Sequence, residues 1–308
     1  MLHSRMLAYL DEVARSGSIR KAAGKLGIAA SSINRQIIAL EEEYGVALFE
    51  RLPRRLRLTV AGELLIAHVR QTLREHELLR SRFIDLQGRR RGLVRIATIA
   101  GLVPTVMPPL VAWMRQHHPF VKLVVQSMSL EAVIAAVIAG EAELGLGYQL
   151  PPDPKLRMLT RLPARVGAVM APSHPLAGLT EISLADCIGY PMVIPDSSIT
   201  IGALLADAFE RAAIAVDTVV ETNSIDLLRR AAMSGTTIAF LSEIEADEDR
   251  SLGILVFVPL RGPQPPTQEL RLVARRTGGL DATQSKIAEE LRQMLTRQVE
   301  QSAGRLTA

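Results

Sequence analysis

The sequence predicts an α/β multidomain protein: a small helical module, a long connecting helix, and a larger region of alternating strands and helices. Three observations predict it. Between Ser18 and Tyr44 the apolar residues Ile19, Ala22, Ala23 and Leu26 fall at helical spacing, Gly27 breaks the run, and Ile33, Ile37 and Leu40 resume the same period, as in two short helices joined by a glycine turn. From Leu65 to Leu86 apolar positions recur at heptad spacing. From Leu93 onward short strand-like runs alternate with helical stretches, the pattern of parallel βαβ units.

Composition narrows what such a chain can do. At 308 residues there is room for two domains and a sizeable core. Residues 1–91 carry 17 Lys and Arg against 10 Asp and Glu, a net +7, and the remainder carries 19 against 22, a net −3. A basic first third on a mildly acidic body predicts a polyanionic partner for that third alone. Cys187 is the single cysteine, so there is no intrachain disulfide and no cysteine-clustered zinc site. The six histidines (His3, His68, His76, His117, His118 and His174) show no metal-ligand spacing, and neither a metal nor a cofactor is expected. Asp11 and Glu12 fall where a signal peptide would need apolar residues, and with the lone cysteine they predict a reduced, cytoplasmic location. Residues 96–114 hold no charge over 19 positions, but Pro104, Pro108 and Pro109 interrupt them, as expected of a buried strand, turn and helix rather than a membrane span.

In chain order, Met6, Leu7, Leu10, Val13 and Ala14 form an apolar stripe on a first, supporting helix. The two helices of the opening observation follow. Ser31, Ser32, Asn34, Arg35 and Gln36 crowd the first turns of the second, the part of a helix-turn-helix that enters the major groove. Gly45 ends that helix. Over 46–58, Leu56 and Leu58 alternate with Arg57 beyond a Pro-Arg-Arg tip, predicting a small hairpin. Its arginines, Arg51, Arg54, Arg55 and Arg57, are suited to phosphates or a minor groove, which supplies affinity rather than sequence choice.

Thr59 can cap a helix running from Val60 to about Gln87, roughly 42 Å long at 1.5 Å per residue. Its seam is Leu65, Val69, Thr72, His76, Leu79, Phe83 and Leu86. The same helix of a second chain would cover it; packing on the protein's own body is the alternative. The run 88–92, Gly-Arg-Arg-Arg-Gly, is a polar break.

Beyond it, strands are predicted over 93–97, 122–126, 144–148, 167–171, 192–194, 216–221 and 237–241, with a return strand over 269–274. Helices are predicted over 103–117, 131–139, 202–213, 225–234 and 283–299, and residues 261–267, with three prolines and a glycine, form a hinge crossing. No Gly-rich phosphate loop follows the first strand, and no serine has a predictable base beside it, so the region does not read as an enzyme. It does carry hydroxyl and amide residues at strand ends: Thr98, Ser127, Ser129, Ser197, Ser198, Thr200, Asn223 and Ser224. Each alone suits a helix cap. Together they suit a crevice beyond the carboxyl ends of an open α/β sheet, where ligands bind.

These residues match a family. The runs 17–23 (Gly-Ser-Ile-Arg-Lys-Ala-Ala), 32–37 (Ser-Ile-Asn-Arg-Gln-Ile), 40–51 (Leu-Glu-Glu-Glu-Tyr-Gly-Val-Ala-Leu-Phe-Glu-Arg) and 58–63 (Leu-Thr-Val-Ala-Gly-Glu) closely resemble the LysR-type transcriptional regulators. The downstream region is similar to that family's effector-binding domain, which resembles type 2 periplasmic binding proteins. The resemblance implies a winged helix-turn-helix over 1–59, a dimerising linker helix over 60–89, and an effector domain over 90–308. That domain would comprise subdomain I (about 90–162 and 268–308) and subdomain II (about 163–267). It also implies double-stranded DNA, a small-molecule effector and further copies of the chain, usually as a dimer of dimers, as partners, with no membrane.

Carried over by position, Ser31, Ser32 and Asn34 would face bases, Arg35 a phosphate or guanine, and Arg54 or Arg55 the wing contact, with Gln36 and Arg51 completing the DNA-binding set. Where relatives place a glutamine this chain has Ala30, whose methyl suits a thymine methyl. Thr98, Ser129 and Ser198 would occupy turns where relatives hold ligand carboxylates, joined by Ala100, Thr200 and Asn223. The single Cys187 argues against a peroxide sensor of the two-cysteine kind. A ligand-responsive, DNA-binding transcription regulator is the expected function. The alternative is a solute-binding protein whose cleft is its main function.

Overall fold

The computed structural model describes residues 5–52, 55–86, 92–214 and 218–304. Compact packing divides the chain after Arg91 into two units.

The first unit opens with α1 (Arg5–Ser16), α2 (Ile19–Leu26) and α3 (Ala30–Tyr44). Gly17, Gly27 and Gly45 take left-handed φ values of 59°, 66° and 66°, which a Cβ would strain, so each reverses the chain at a helix end. Ser18 caps α2 by accepting from the Lys21 amide. Leu10, Val13, Ala22, Ala23, Ile33 and Ile37 make the core where the three helices cross. Strands β1 (Phe49–Leu52) and β2 (Arg55–Leu58) form the expected hairpin, paired Phe49 to Leu58 and Leu52 to Arg55. Two contacts fix it to the helices. The Glu41 carboxylate accepts from the amides of Leu48 (2.8 Å) and Phe49 (3.1 Å), and the Leu56 amide donates to the Gly17 carbonyl (2.8 Å).

Helix α4 (Val60–Leu86) starts at Thr59, whose hydroxyl accepts from the Gly62 amide (3.0 Å) and donates to the Ala47 carbonyl (2.7 Å). Gly62 is required by space: a Cβ there would lie 2.0 Å from the Leu48 carbonyl oxygen. The expected seam needs correction at its start. Val69 is fully buried in this unit's own core beside Ile66, and Leu65 packs against it, because α4 lies on α1 and is tied to it by Arg70 donating to Asp11 (2.7 Å). Thr72 and His76 are half-buried, and among the described side chains of α4 the large exposed apolar ones are Val60 and Leu64. The side chains of Leu79, Phe83 and Leu86 lie outside the described residues, as does the 88–91 break.

The second unit is built, among the described residues, on one nine-stranded sheet. Strands β3 (Leu93–Thr98), β4 (Lys122–Ser127) and β5 (Leu144–Tyr148) run parallel in the order β4-β3-β5. Helices α5 (Val103–His117) and α6 (Leu130–Ala139) make the crossovers, so the charge-free 96–114 stretch is a strand, a short 3₁₀ turn and a helix. Among the described residues no helix is long and apolar enough to cross a membrane. A second parallel set comprises β7 (Met192–Pro195), β8 (Thr218–Thr222) and β9 (Ile238–Ser242), connected through α7 (Thr200–Arg211) and α8 (Ile225–Ala232).

Two strands join the sets, and here the sequence expectations fall short. The strand expected over 167–171 is the last third of β6 (Leu156–Met170), which pairs with β11 (Thr267–Arg275) over 156–165 and with β9 and β10 (Val256–Pro259) over 166–170. Pro163 discourages a strand reading, yet β9 and β10 pair only beyond it, so one side of β6 has no ladder partner there among the described residues. Strand β10 and helix α9 (Glu243–Ser251) are absent from the sequence expectations. Helix α10 (Ala282–Gly304) closes the unit, packing Ile287, Leu291 and Leu295 against Leu110, Leu146 and Leu272.

Candidate nucleic-acid interface and effector site

In α3 the periodicity of burial decides which residues can touch a partner. Ile33 and Ile37 are buried, so the opposite edge, Ser31 and Arg35, is exposed, and Ala30, Ser32 and Asn34 are partly open beside it. Gln36 is turned differently. Its Oε1 is buried with no hydrogen-bond partner among the described residues, so its carbonyl oxygen is not presented outward. The helix begins at Ala29, which has no capping side chain. Its first-turn amides therefore keep the partial positive charge that attracts an anion. On the hairpin Arg55 and Arg57 are exposed. The Arg51 side chain and Arg54 lie outside the described residues.

The second unit brings several expected ligand-site residues to one end of the sheet. Because β3, β4 and β5 are parallel, Thr98, Ser127 and Tyr148 all end their strands on the same side, and Ser129 follows the second. Thr98 is fully buried, and its Oγ1 has no hydrogen-bond partner among the described residues. Its carbonyl accepts from Met128 (2.9 Å). Ala100 opens the 3₁₀ turn Ala100–Leu102 and is exposed. Ser129 caps α6, accepting from the Ala132 amide at 3.4 Å, the ordinary role expected of any single serine there. In the other parallel set Pro195 pairs with Thr222, so the turn carrying Ser198 and Thr200 and the turn carrying Asn223 leave the sheet side by side. Ser198 and Asn223 are exposed, the Ser198 amide donates to Asp196 (2.8 Å), and Thr200 begins α7 without a side-chain cap.

The carboxyl ends of the two sets meet. The Tyr148 hydroxyl, at the end of β5, lies 2.5 Å from the Ser242 hydroxyl at the end of β9, both buried. Ser242 in turn accepts from the Glu245 amide (3.2 Å) while the Glu245 carboxylate accepts from the Ser242 amide (3.2 Å), a capping box that starts α9. Glu245 reaches the turn after β3, where a Cβ on Gly101 would lie 2.0 Å from its Oε1. Burial pushes the Glu245 carboxyl up to about 7 and the Tyr148 phenol well above its ordinary value. The sequence expectations do not include this cluster, although Ser242-x-x-Glu245 is a readable capping-box signature. Elsewhere, Cys187 is buried and its thiol is pushed up to about 12 by burial and the nearby Asp186 charge. No group of three or more acidic, histidine or cysteine side chains able to hold a metal occurs among the described residues.

A basic helix-turn-helix with a wing, followed by an α/β unit whose strand ends converge, defines the class of ligand-responsive DNA-binding regulators. Family models agree: residues 4–63 match the bacterial regulatory helix-turn-helix protein of the lysR family, and residues 87–298 match the LysR substrate binding domain. The chain belongs to the LysR family of transcription regulators. It is similar to a probable RuBisCO transcriptional regulator of Porphyra purpurea, 28% identical over 81% of this chain and 80% of that protein. It is also similar to a hydrogen peroxide-inducible genes activator of Pectobacterium carotovorum subsp. carotovorum, 21% identical over 95% of this chain and 96% of that protein. Among solved structures, a full-length OxyR variant from Pseudomonas aeruginosa matches with a TM-score of 0.71 at 17% identity, covering 94% of this chain and 95% of that one. Full-length CbnR complexed with its target DNA matches with a TM-score of 0.60 at 19% identity, covering 97% and 99%. At these identities the two structures speak for the fold.

Proposed function

We propose that this regulator reads operator DNA with the exposed edge of α3 and adjusts that reading when a small carboxylate enters the crevice at the strand ends of its second unit. Ala30, Ser31, Ser32 and Asn34 meet bases, Arg35 takes a guanine or a phosphate, and the wing arginines Arg51, Arg54 and Arg55 hold the backbone. Gln36 is the weakest member of this set, since its carbonyl oxygen is buried. The observation that carries the proposal is α3 itself: apolar on the Ile33 and Ile37 edge, open at Ser31 and Arg35, and uncapped at its amino end.

On the effector side, Thr98, Ala100, Ser129, Ser198, Thr200 and Asn223 form the ligand set. The buried Thr98 hydroxyl, unpartnered among the described residues, and the amino end of α6 favour an anion. The domain roles follow the division 1–59, 60–89 and 90–308. Exposed Val60 and Leu64 on α4 favour association with a second copy, and the assembly is a dimer of dimers in the cytoplasm with no catalytic step. The buried, high-pKa Cys187 leaves no reactive thiol for peroxide chemistry, so the signal is a bound molecule.

The test is footprinting of the full chain on a duplex selected from a random pool, with and without carboxylates found by thermal-shift screening. A ligand-dependent change in protected length or in bending supports the proposal. Identical footprints and affinities with every stabilising ligand overturn it. Binding of those ligands with no duplex affinity at all favours the solute-binding alternative.

A further inference from the structure

The first turn of α9 buries two carboxylates with different partners. Glu243 is fully served by Arg165, whose amide (3.0 Å), Nε (3.0 Å) and Nη2 (2.9 Å) all donate to it. Glu245, 3% exposed, receives only Ser242 among the described residues. The cation on neighbouring α8, Arg229, is already committed, donating to Asp249 at 2.6 and 2.9 Å and to Glu248 at 3.3 Å. From β5, Tyr148 bonds Ser242 rather than the carboxyl. From the turn after β3 comes Gly101, which offers no side chain at all. The apolar neighbours Ile244 and Ala246 sit in the cores of the two halves, so α9 bridges them with Glu245 at the junction.

We propose that Glu245 is a proton-operated latch on the Ala100–Leu102 turn: as the neutral acid it lets that turn close on α9, and as the carboxylate it drives the turn away. The latch rests on the reading of residues 98–102 as part of the effector site, and it supplies that site's regulation. The physical reason is a mismatch of supply. A buried carboxylate needs several donors or a cation, and this one has, among the described residues, a single donating residue, with Gly101 so close to one oxygen that a Cβ would not fit. Protonation removes the charge and leaves the packing unchanged. Ionisation releases one proton to solvent, and the new charge gains fuller hydration as Gly101 moves off. An effector that needs the closed turn is therefore bound with uptake of a proton, and above the midpoint its affinity falls by up to about tenfold per pH unit.

The test is amide hydrogen exchange of the ligand-free, full-length protein across residues 99–103, from about pH 5.5 to about pH 8.5, with Glu245→Gln at each pH as the reference for base-catalysed exchange. The wild type is expected to lose protection relative to the variant by up to about tenfold per unit above neutrality, while β11 exchanges alike in both. Parallel curves at every pH overturn the latch. Should Glu245→Gln fail to fold, the wild-type ratio of exchange in 99–103 to that in β11 serves instead, and a constant ratio overturns it. Neither measurement contains an effector, so a failed ligand screen tells against the effector site and a flat exchange ratio against the latch.

Discussion

Arg35 stands on the open edge of α3 one turn beyond Ser31, where a guanidinium can fork onto the O6 and N7 of a guanine or rest on a phosphate. If it reads a base, Arg35→Ala loses about 1–3 kcal/mol on the preferred duplex and relaxes the choice at one base pair, measured by anisotropy on a panel of single substitutions. Uniform weakening across the panel with a shallower salt dependence assigns it to a phosphate. Cys187 gives an expectation of the opposite kind. A buried thiol held at about 12 carries almost no thiolate at neutral pH, so peroxide leaves the DNA affinity of the wild type and of Cys187→Ser equal. A peroxide response lost in Cys187→Ser contradicts that. The exposed edge of α3 was legible because a helix has one period: once Ile33 and Ile37 are inward, Ser31 and Arg35 are outward. Gln36 was not, since the direction of a long side chain depends on its neighbours.

At the scale of elements, the join between wing and long helix is the tightest point of the first unit. Gly62 packs on the Leu48 carbonyl at a distance no Cβ tolerates, so Gly62→Ala forces β1 or α4 to shift. The expected cost is about 1–3 kcal/mol, read as a lower urea midpoint with an unchanged slope. An unchanged midpoint shows the join to be loose. Between α8 and α9, Arg229 and Asp249 form a nearly buried, two-bond ion pair. Asp249→Ala leaves the guanidinium with the longer Glu248 contact (3.3 Å) and destabilises the second unit by up to about 3–5 kcal/mol, which chemical denaturation measures. A loss no larger than that of a surface pair places the guanidinium in water. The helices and strands with clean periodicity were readable from the chain. Helix α9 was not, because five acidic residues among its nine hide any apolar face, and four of those acids, all but Glu245, meet Arg165, Arg229 or Arg250 brought against them.

The whole second unit answers to pH through the same buried acid. Glu245 titrates near 4.5 when unfolded and at about 7 when folded, so the folded state keeps a proton that the unfolded chain releases. Its contribution to stability is therefore greatest below about 4.5, falls as pH rises to about 7, and is level beyond, a loss of about 3 kcal/mol at 1.36 kcal/mol per unit. Glu143, also raised by burial, acts in the same direction, so the informative quantity is the wild type minus Glu245→Gln. A difference in unfolding free energy that does not change with pH removes Glu245 from the balance.

Taken alone, the sequence determined the order of the parts: a basic reader, a long helix, and alternating strands and helices with hydroxyls at their ends. Those features rest on local periodicity and capping, which need no knowledge of the rest of the chain. Only the tertiary structure decided that Val69 belongs to the first unit's core rather than to an open seam, that β6 runs unbroken through Pro163, and that Tyr148, Ser242, Glu245 and Gly101 share one buried junction. Tyr148 and Ser242 are 94 residues apart. Nothing in the spacing along a chain records such a meeting, because it is set by how strands pair and how closely two turns approach once the sheet has formed.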